Sequence, residues 1–130
     1  MEMGLTEKTD ARLDELRARQ AQAQLGGGSS RIDQQHAKGK MIARERIAAL
    51  LDPDTFQELQ PFVLQHCEDA TAIHGDGVVT GFGQIDGRNV CVYAQDFTVY
   101  GGSVSLTHAR KITQLQDLAL RNGVPIIGLF

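Results

Sequence analysis

Cysteine is scarce in this chain of 130 residues. There are two, Cys67 and Cys91, far apart and in no Cys-x-x-Cys pattern. A zinc ribbon needs four ligands in paired spacing, so that class is excluded. A basic excess is missing too: 13 Lys and Arg stand against 16 Asp and Glu, a net charge of −3. Without surplus cations there is nothing to release condensed counterions from a nucleic acid, so general polyanion binding is excluded and any anion site must be local. No apolar run approaches the ~20 residues of a membrane span, and Met1-Glu2-Met3 starts no secretory signal. A soluble, cytoplasmic protein is expected. His36, His66, His74 and His108 share no ligand spacing, which argues against a metal site, and neither Ser103 nor Ser105 has a base beside it in sequence.

With 42% hydrophobic and 22% charged residues the chain has enough apolar material for one folded domain. Thr6 to Leu25 is rich in Ala, Leu, Arg, Glu and Gln, with Thr6 as candidate N-cap, and predicts a helix. Its apolar side chains are few, Leu13 and Leu16 and then alanines, so it cannot build a core alone. Gly26-Gly27-Gly28-Ser29-Ser30 predicts a flexible break. Met41, Ile47, Leu50 and Leu51 give a helical stripe from about Ala43 to Leu51, ended by Asp52-Pro53. Short extended pieces are expected around Pro61, and His66 to Gly75 is a polar loop.

The stretch from Asp76 to Ser103 carries the most information. Val78 to Ile85 reads as a strand, Asp86-Gly87 as a two-residue hairpin turn, and Val90 to Ala94 as a strand covered on both faces, which makes Cys91 a small buried hydrophobe. Tyr100-Gly101-Gly102-Ser103 then opens a helix capped by Ser103 or Ser105, with Ala109, Ile112, Leu115 and Ala119 at helical spacing. Asn122-Gly123 closes it, and Val124 to Phe130 is an apolar strand. A strand-helix-strand unit places ligand chemistry beyond the carboxyl ends of its strands.

Gly101, Gly102 and Ser103 stand where backbone N–H groups at a helix start are unpaired, and the helix dipole there favours an anion. A plain turn explains the same residues. Lys38, Lys40, Arg44 and Arg46 form a basic cluster, with Lys40 and Arg44 four apart on one helical face if the helix starts early enough. A phosphorylated ligand and a solvated face, partly neutralised by Glu45, are the two readings. Asp96, at the carboxyl end of the central strand, is expected to cap the turn from Phe97 to Tyr100 through its side chain. His108 is expected on the exposed side of its helix.

Taken together, Gly39-Lys40-Met41, Ala43-Arg44-Glu45-Arg46-Ile47, Leu51-Asp52-Pro53, Asp76 to Gly81, Gln95 to Ser103 and Pro125 to Leu129 resemble the carboxyltransferase (beta) subunit of biotin-dependent acyl-CoA carboxylases. Propionyl-CoA carboxylase and methylmalonyl-CoA carboxyltransferase are of this type. The resemblance implies an α/β, crotonase-like spiral of ββα units, incomplete here and preceded by N-terminal helices. Residues 1–30 would be a helix with a Gly/Ser-rich linker, and residues 31–130 the first part of an acyl-CoA-binding domain. It implies transfer of carboxylate from carboxybiotin, borne by a partner carrier served by a biotin carboxylase, to the α-carbon of an acyl-CoA, in a subunit that forms homo-oligomers.

It also makes Gly101, Gly102, Ser103, Lys40 and Arg44 candidate CoA contacts. In the family the last strand runs on into Asn-Asp-Ser-Gly-Gly-Ala-Arg, whose glycine amides form an oxyanion hole. Phe130 stands at the Asn here, so the chain by itself is expected to be inactive. A non-catalytic remnant of a truncated gene and a small CoA-binding or subunit-interaction module are the alternatives.

Overall fold

The apolar alternation of the central segment decides the architecture. In the computed structural model, which describes residues 4–64 and 73–130, Val78–Ile85 (β2) and Arg88–Gln95 (β3) pair antiparallel across the Asp86-Gly87 turn, both residues at positive φ (50° and 76°). The carboxylate of Asp52 accepts from the Asp86 and Gly87 N–H groups, at 2.9 Å each, and ties the turn to the end of the preceding helix. Gln57–Leu59 (β1) flanks β2 antiparallel, and Ile126–Leu129 (β4) flanks β3 in parallel, giving a four-stranded sheet in the order β1-β2-β3-β4.

Both faces of β3 are covered from Val90 to Ala94, which is why the sequence is apolar throughout that stretch. Val90, Val92 and Ala94 point to Ala43, Ile47 and Leu51, contributed by Ala43–Leu50 (α3) and its C-cap. Cys91 points to the other face, against Leu115 and Ala119 of Leu106–Asn122 (α4). The sequence β2-β3-α4-β4 is the expected ββα unit with its return strand.

Leu5–Gln24 (α1) begins one residue before the expected Thr6 and is capped by Gly4, whose N–H donates to Glu7 Oε2 at 3.0 Å; Thr6 lies inside the helix. Ala23 is its one buried residue. The expected break after α1 is shorter than predicted: Ser29 and Ser30 begin a further helix, Ser29–Ala37 (α2), and Gly26 and Gly27 form a corner packed on Asp96 and Thr98. The Gly27 N–H donates to Thr98 Oγ1 at 3.0 Å, and a Cβ at Gly27 would lie 1.7 Å from Thr98 O, so the chain closes there through glycine alone. Of the polar segment read as a loop, residues 66–72 lie outside the described residues, and with them His66 and Cys67; Ile73 to Gly77 form turns.

Candidate functional site at the strand ends

β3 and β4 run parallel, so their carboxyl ends emerge side by side, Phe97 shortly after the first and Phe130 just after the second. Such neighbouring ends leave a crevice. Here it is a cavity of about 440 Å³ whose lining includes Phe97, Phe130, Met41, Lys38, Lys40 and Arg46. A second hollow of about 540 Å³ adjoins it, sharing Phe97 and Lys38 and adding Arg31, Thr98, Tyr100 and Gly101. Four cations, Arg31, Lys38, Lys40 and Arg46, thus gather at one end of a chain whose net charge is −3. No ion pair among the described residues engages Lys38, Lys40 or Arg46.

The strand-end turn is built by its own first residue. Asp96 Oδ1 accepts from the Thr98 N–H (2.9 Å) and from Thr98 Oγ1 (2.5 Å), the side-chain cap expected of this aspartate. Tyr100–Gly102 follows as a short turn of left-handed torsions, with Tyr100, Gly101 and Gly102 all at positive φ. Gly101 faces open space, whereas a Cβ on Gly102 would meet the Phe97 ring at 2.8 Å.

Two expectations about this region are corrected. The glycine pair does not open a helix: Ser103 to Ser105 is extended, and α4 starts at Leu106 with Ser105 as its cap. The anion at that helix start belongs to the protein itself. Asp76, 1% exposed, accepts at Oδ2 from the His108 N–H (3.1 Å) and from the Ser105 hydroxyl. A buried carboxylate there takes up the His108 N–H and answers the helix dipole, so the helix start already holds its own anion. Likewise, Lys40 and Arg44 do not share a helical face. Ile42 is the cap of α3, its N–H held by Glu45 Oε2 at 2.9 Å, so Lys40 lies in the preceding loop.

The Arg44 guanidinium turns away from the cavity, forming a bidentate ion pair with Glu58 and donating to Ala23 O at 3.3 Å. Glu45 answers His36 rather than the basic cluster, at 2.8 Å; the Ile42 N–H first, and the His36 ring second, hold its carboxyl below the usual range. Of the five candidate contacts, Gly101 and Lys40 therefore line the two adjoining hollows, Gly102 backs the Phe97 ring that lines both, and Ser103 lies just beyond. Arg44 supports the wall. Arg31 and Phe97 were missed, although Phe97 stands within the Gln95 to Ser103 block.

A third correction concerns α4. His108, expected at the surface, is fully buried, its Nδ1 3.2 Å from Asp76 O, and burial pushes its pKa below the usual 6.5. One turn further, Lys111 is 2% exposed and donates to Gly75 O (2.9 Å) and Val78 O. Burial lowers its pKa from 10.5 to about 8. These side chains tie α4 to the turn before β2, on the helix-side face of the sheet.

Among the described residues no helix is long and apolar enough to cross a membrane. The carboxyl transferase domain family matches residues 34–130. The propionyl-CoA carboxylase beta chain of Roseobacter denitrificans is 52% identical over 121 residues, covering 90% of this chain and 24% of the relative. The putative propionyl-CoA carboxylase beta chain of Bacillus subtilis is 55% identical over 118 residues, covering 90% and 23%. The chain thus spans about a quarter of the length of the curated relatives it matches. Transcarboxylase 12S, solved as a hexamer assembly with methylmalonyl-coenzyme A bound, superposes on the whole chain and 26% of its own, with a TM-score of 0.91 at 35% identity. The α/β fold is the crotonase-like one of these carboxyltransferases. With its strand-end crevice, its ββα unit and these matches, the chain belongs to the carboxyl transferase domain family.

Proposed function

We propose that this chain forms part of the acyl-CoA side of a biotin-dependent carboxyltransferase of the propionyl-CoA carboxylase type. The parent reaction moves carboxylate from carboxybiotin to the α-carbon of an acyl-CoA. One observation carries the reading: cations and apolar rings converge on the carboxyl ends of two adjacent parallel strands. Coenzyme A combines phosphates with an uncharged arm, and a pocket for it needs both kinds of wall. Lys38, Lys40 and Arg46 would meet the phosphates, while Met41, Phe97 and Phe130 would line the apolar stretch. The Tyr100-Gly101-Gly102-Ser103 turn would border the ligand, with Gly102 keeping room for Phe97. Arg44 would act by holding Glu58 and the end of α1 in place.

Carboxybiotin, delivered on a carrier protein charged by a biotin carboxylase, supplies the activated carboxylate. The open, basic hollows suit an extended polyanion rather than a neutral ureido ring, so no residue of this chain is assigned to biotin. Assembly into a homo-oligomer belongs to the same proposal.

The test is calorimetric titration of the 130-residue chain with CoA at low salt. Binding is expected. Replacing Lys38 and Lys40 together by methionine should weaken it by roughly tenfold, about the sum of two exposed charge contacts, and added salt should weaken the wild type more than the double variant. Absence of binding at millimolar CoA, or equal affinity in the double variant, would refute the assignment.

A further inference from the structure

α2 stands beside the strand-end cavity without a single buried residue, so packing alone does not hold it there. Polar attachments at both ends do. At the start, the Gly27 N–H donates to Thr98 Oγ1 (3.0 Å) and Arg31 Nη1 donates to Thr98 O (3.1 Å). At the far end, His36 meets Glu45. Thr98 is itself fixed: it is 3% exposed, and its N–H and hydroxyl both donate to Asp96 Oδ1. The hydroxyl therefore works in both directions, donating to the strand-end turn and accepting from the corner before α2. Serine can reproduce that arrangement and valine cannot.

We propose that Thr98 is a positioning residue: through its hydroxyl and its carbonyl it fixes the start of α2, and so sets where Gln35 and Lys38 stand over the strand-end cavity. Three facts support it independently of any ligand. The contact is too close for any residue but glycine at position 27. Arg31 and Gly27 grip the same residue from adjacent points of the corner. The residue they grip lies three residues past the end of β3, in the turn that Asp96 caps, so α2 is referenced to an inner strand of the sheet rather than to α1. That CoA fills the cavity rests on the reading above; the hold on α2 does not.

Hydrogen exchange of the 130-residue chain, followed by mass spectrometry, tests it. In Thr98→Val, exchange across Ser29–Ala37 should rise roughly fivefold or more, the size expected for one lost hydrogen bond. The β2–β3 hairpin should be unaffected, and Thr98→Ser should stay within about twofold of wild type, having kept the bond. CoA affinity should fall in parallel in Thr98→Val and not in Thr98→Ser. Should Thr98→Val fail to fold, Arg31→Ala, a change at an exposed side chain, should raise exchange in the same segment. Unchanged exchange at α2 overturns the proposal, and so does raised exchange with CoA affinity intact. If the wild type binds no CoA, the CoA reading fails by itself, and exchange at α2 still decides whether Thr98 holds the helix.

Discussion

Replacing Lys111 by methionine should reverse the sign of the pH dependence of stability between pH 8 and pH 9. Lys111 is 2% exposed, and burial lowers its pKa in the folded chain from 10.5 to about 8. Glu58, Arg44 and Asp76 are the charged groups that act on it, the two carboxylates opposing the effect of burial and Arg44 adding to it. Below pH 8 the ammonium is present in both folded and unfolded chains, and the fold carries the cost of burying it. Between pH 8 and 10.5 the folded chain sheds the proton while the unfolded chain keeps it, so stability climbs with pH. Integrating between the two pKa values gives about 1 kcal/mol gained from pH 8 to pH 9.

Cys91 works the other way. Burial raises its pKa above 9.0, so the unfolded chain loses its proton first, and stability falls by at most about 0.4 kcal/mol over the same interval. The lysine wins, and the wild type should gain at least about 0.6 kcal/mol. His108, whose pKa lies below 6.5, is already neutral there; its contribution is lost only as pH falls below that value. The assay is urea unfolding at pH 8.0, 8.5 and 9.0, followed by tyrosine fluorescence. In Lys111→Met only the cysteine effect remains, so stability should fall slightly with pH. A wild type that is flat or falling, or a methionine variant that keeps the rise, would refute the reasoning.

Three further outcomes are expected. Gly102→Ala should lower CoA affinity by pushing the Phe97 ring, whereas Gly101→Ala, facing open space, should cost about 1 kcal/mol of backbone strain and leave affinity unchanged; calorimetric titration and melting of both variants compare the two. Arg44→Met should destabilise by about 1 kcal/mol through loss of the Glu58 pair and keep CoA affinity, while Lys40→Met should do the reverse, as urea melts and titrations would show. The outer edge of β4 has no partner strand among the described residues and carries half-exposed Ile126, so the chain should self-associate; Ile126→Lys should shift light-scattering mass toward the monomer.

The sequence made the β2–β3 hairpin, the buried character of Cys91, the stop of α4 and the side-chain role of Asp96 legible, because each rests on local chemistry. Asp86-Gly87 suits its turn by itself, and Asp96 reaches only to Thr98. α2 escaped detection because a glycine run precedes it and no apolar stripe marks it, although Ser29 to Lys38 contains neither Gly nor Pro. His108 and Lys111 were illegible for a different reason. Their partners are the Asp76 carbonyl for the ring and the Gly75 and Val78 carbonyls for the ammonium, and nothing about a histidine or lysine on a helix announces that a turn some thirty residues earlier docks on it. Asp76 stood at the start of a recognised block, but its role as the anion at the start of α4 depends on where that helix lands.

Because α1 is the longest described helix, with 20 residues against 17 in α4, and buries only Ala23, it supplies the largest single share of the helical circular dichroism while reporting little about the sheet. A helix held by its own side-chain pairs frays over a broad temperature range instead of melting in step with a core. The negative ellipticity at 222 nm would therefore lose magnitude steadily well before the sheet unfolds. Fitted as one transition, that slope would report a loosely ordered protein where the strands and α4 are still intact.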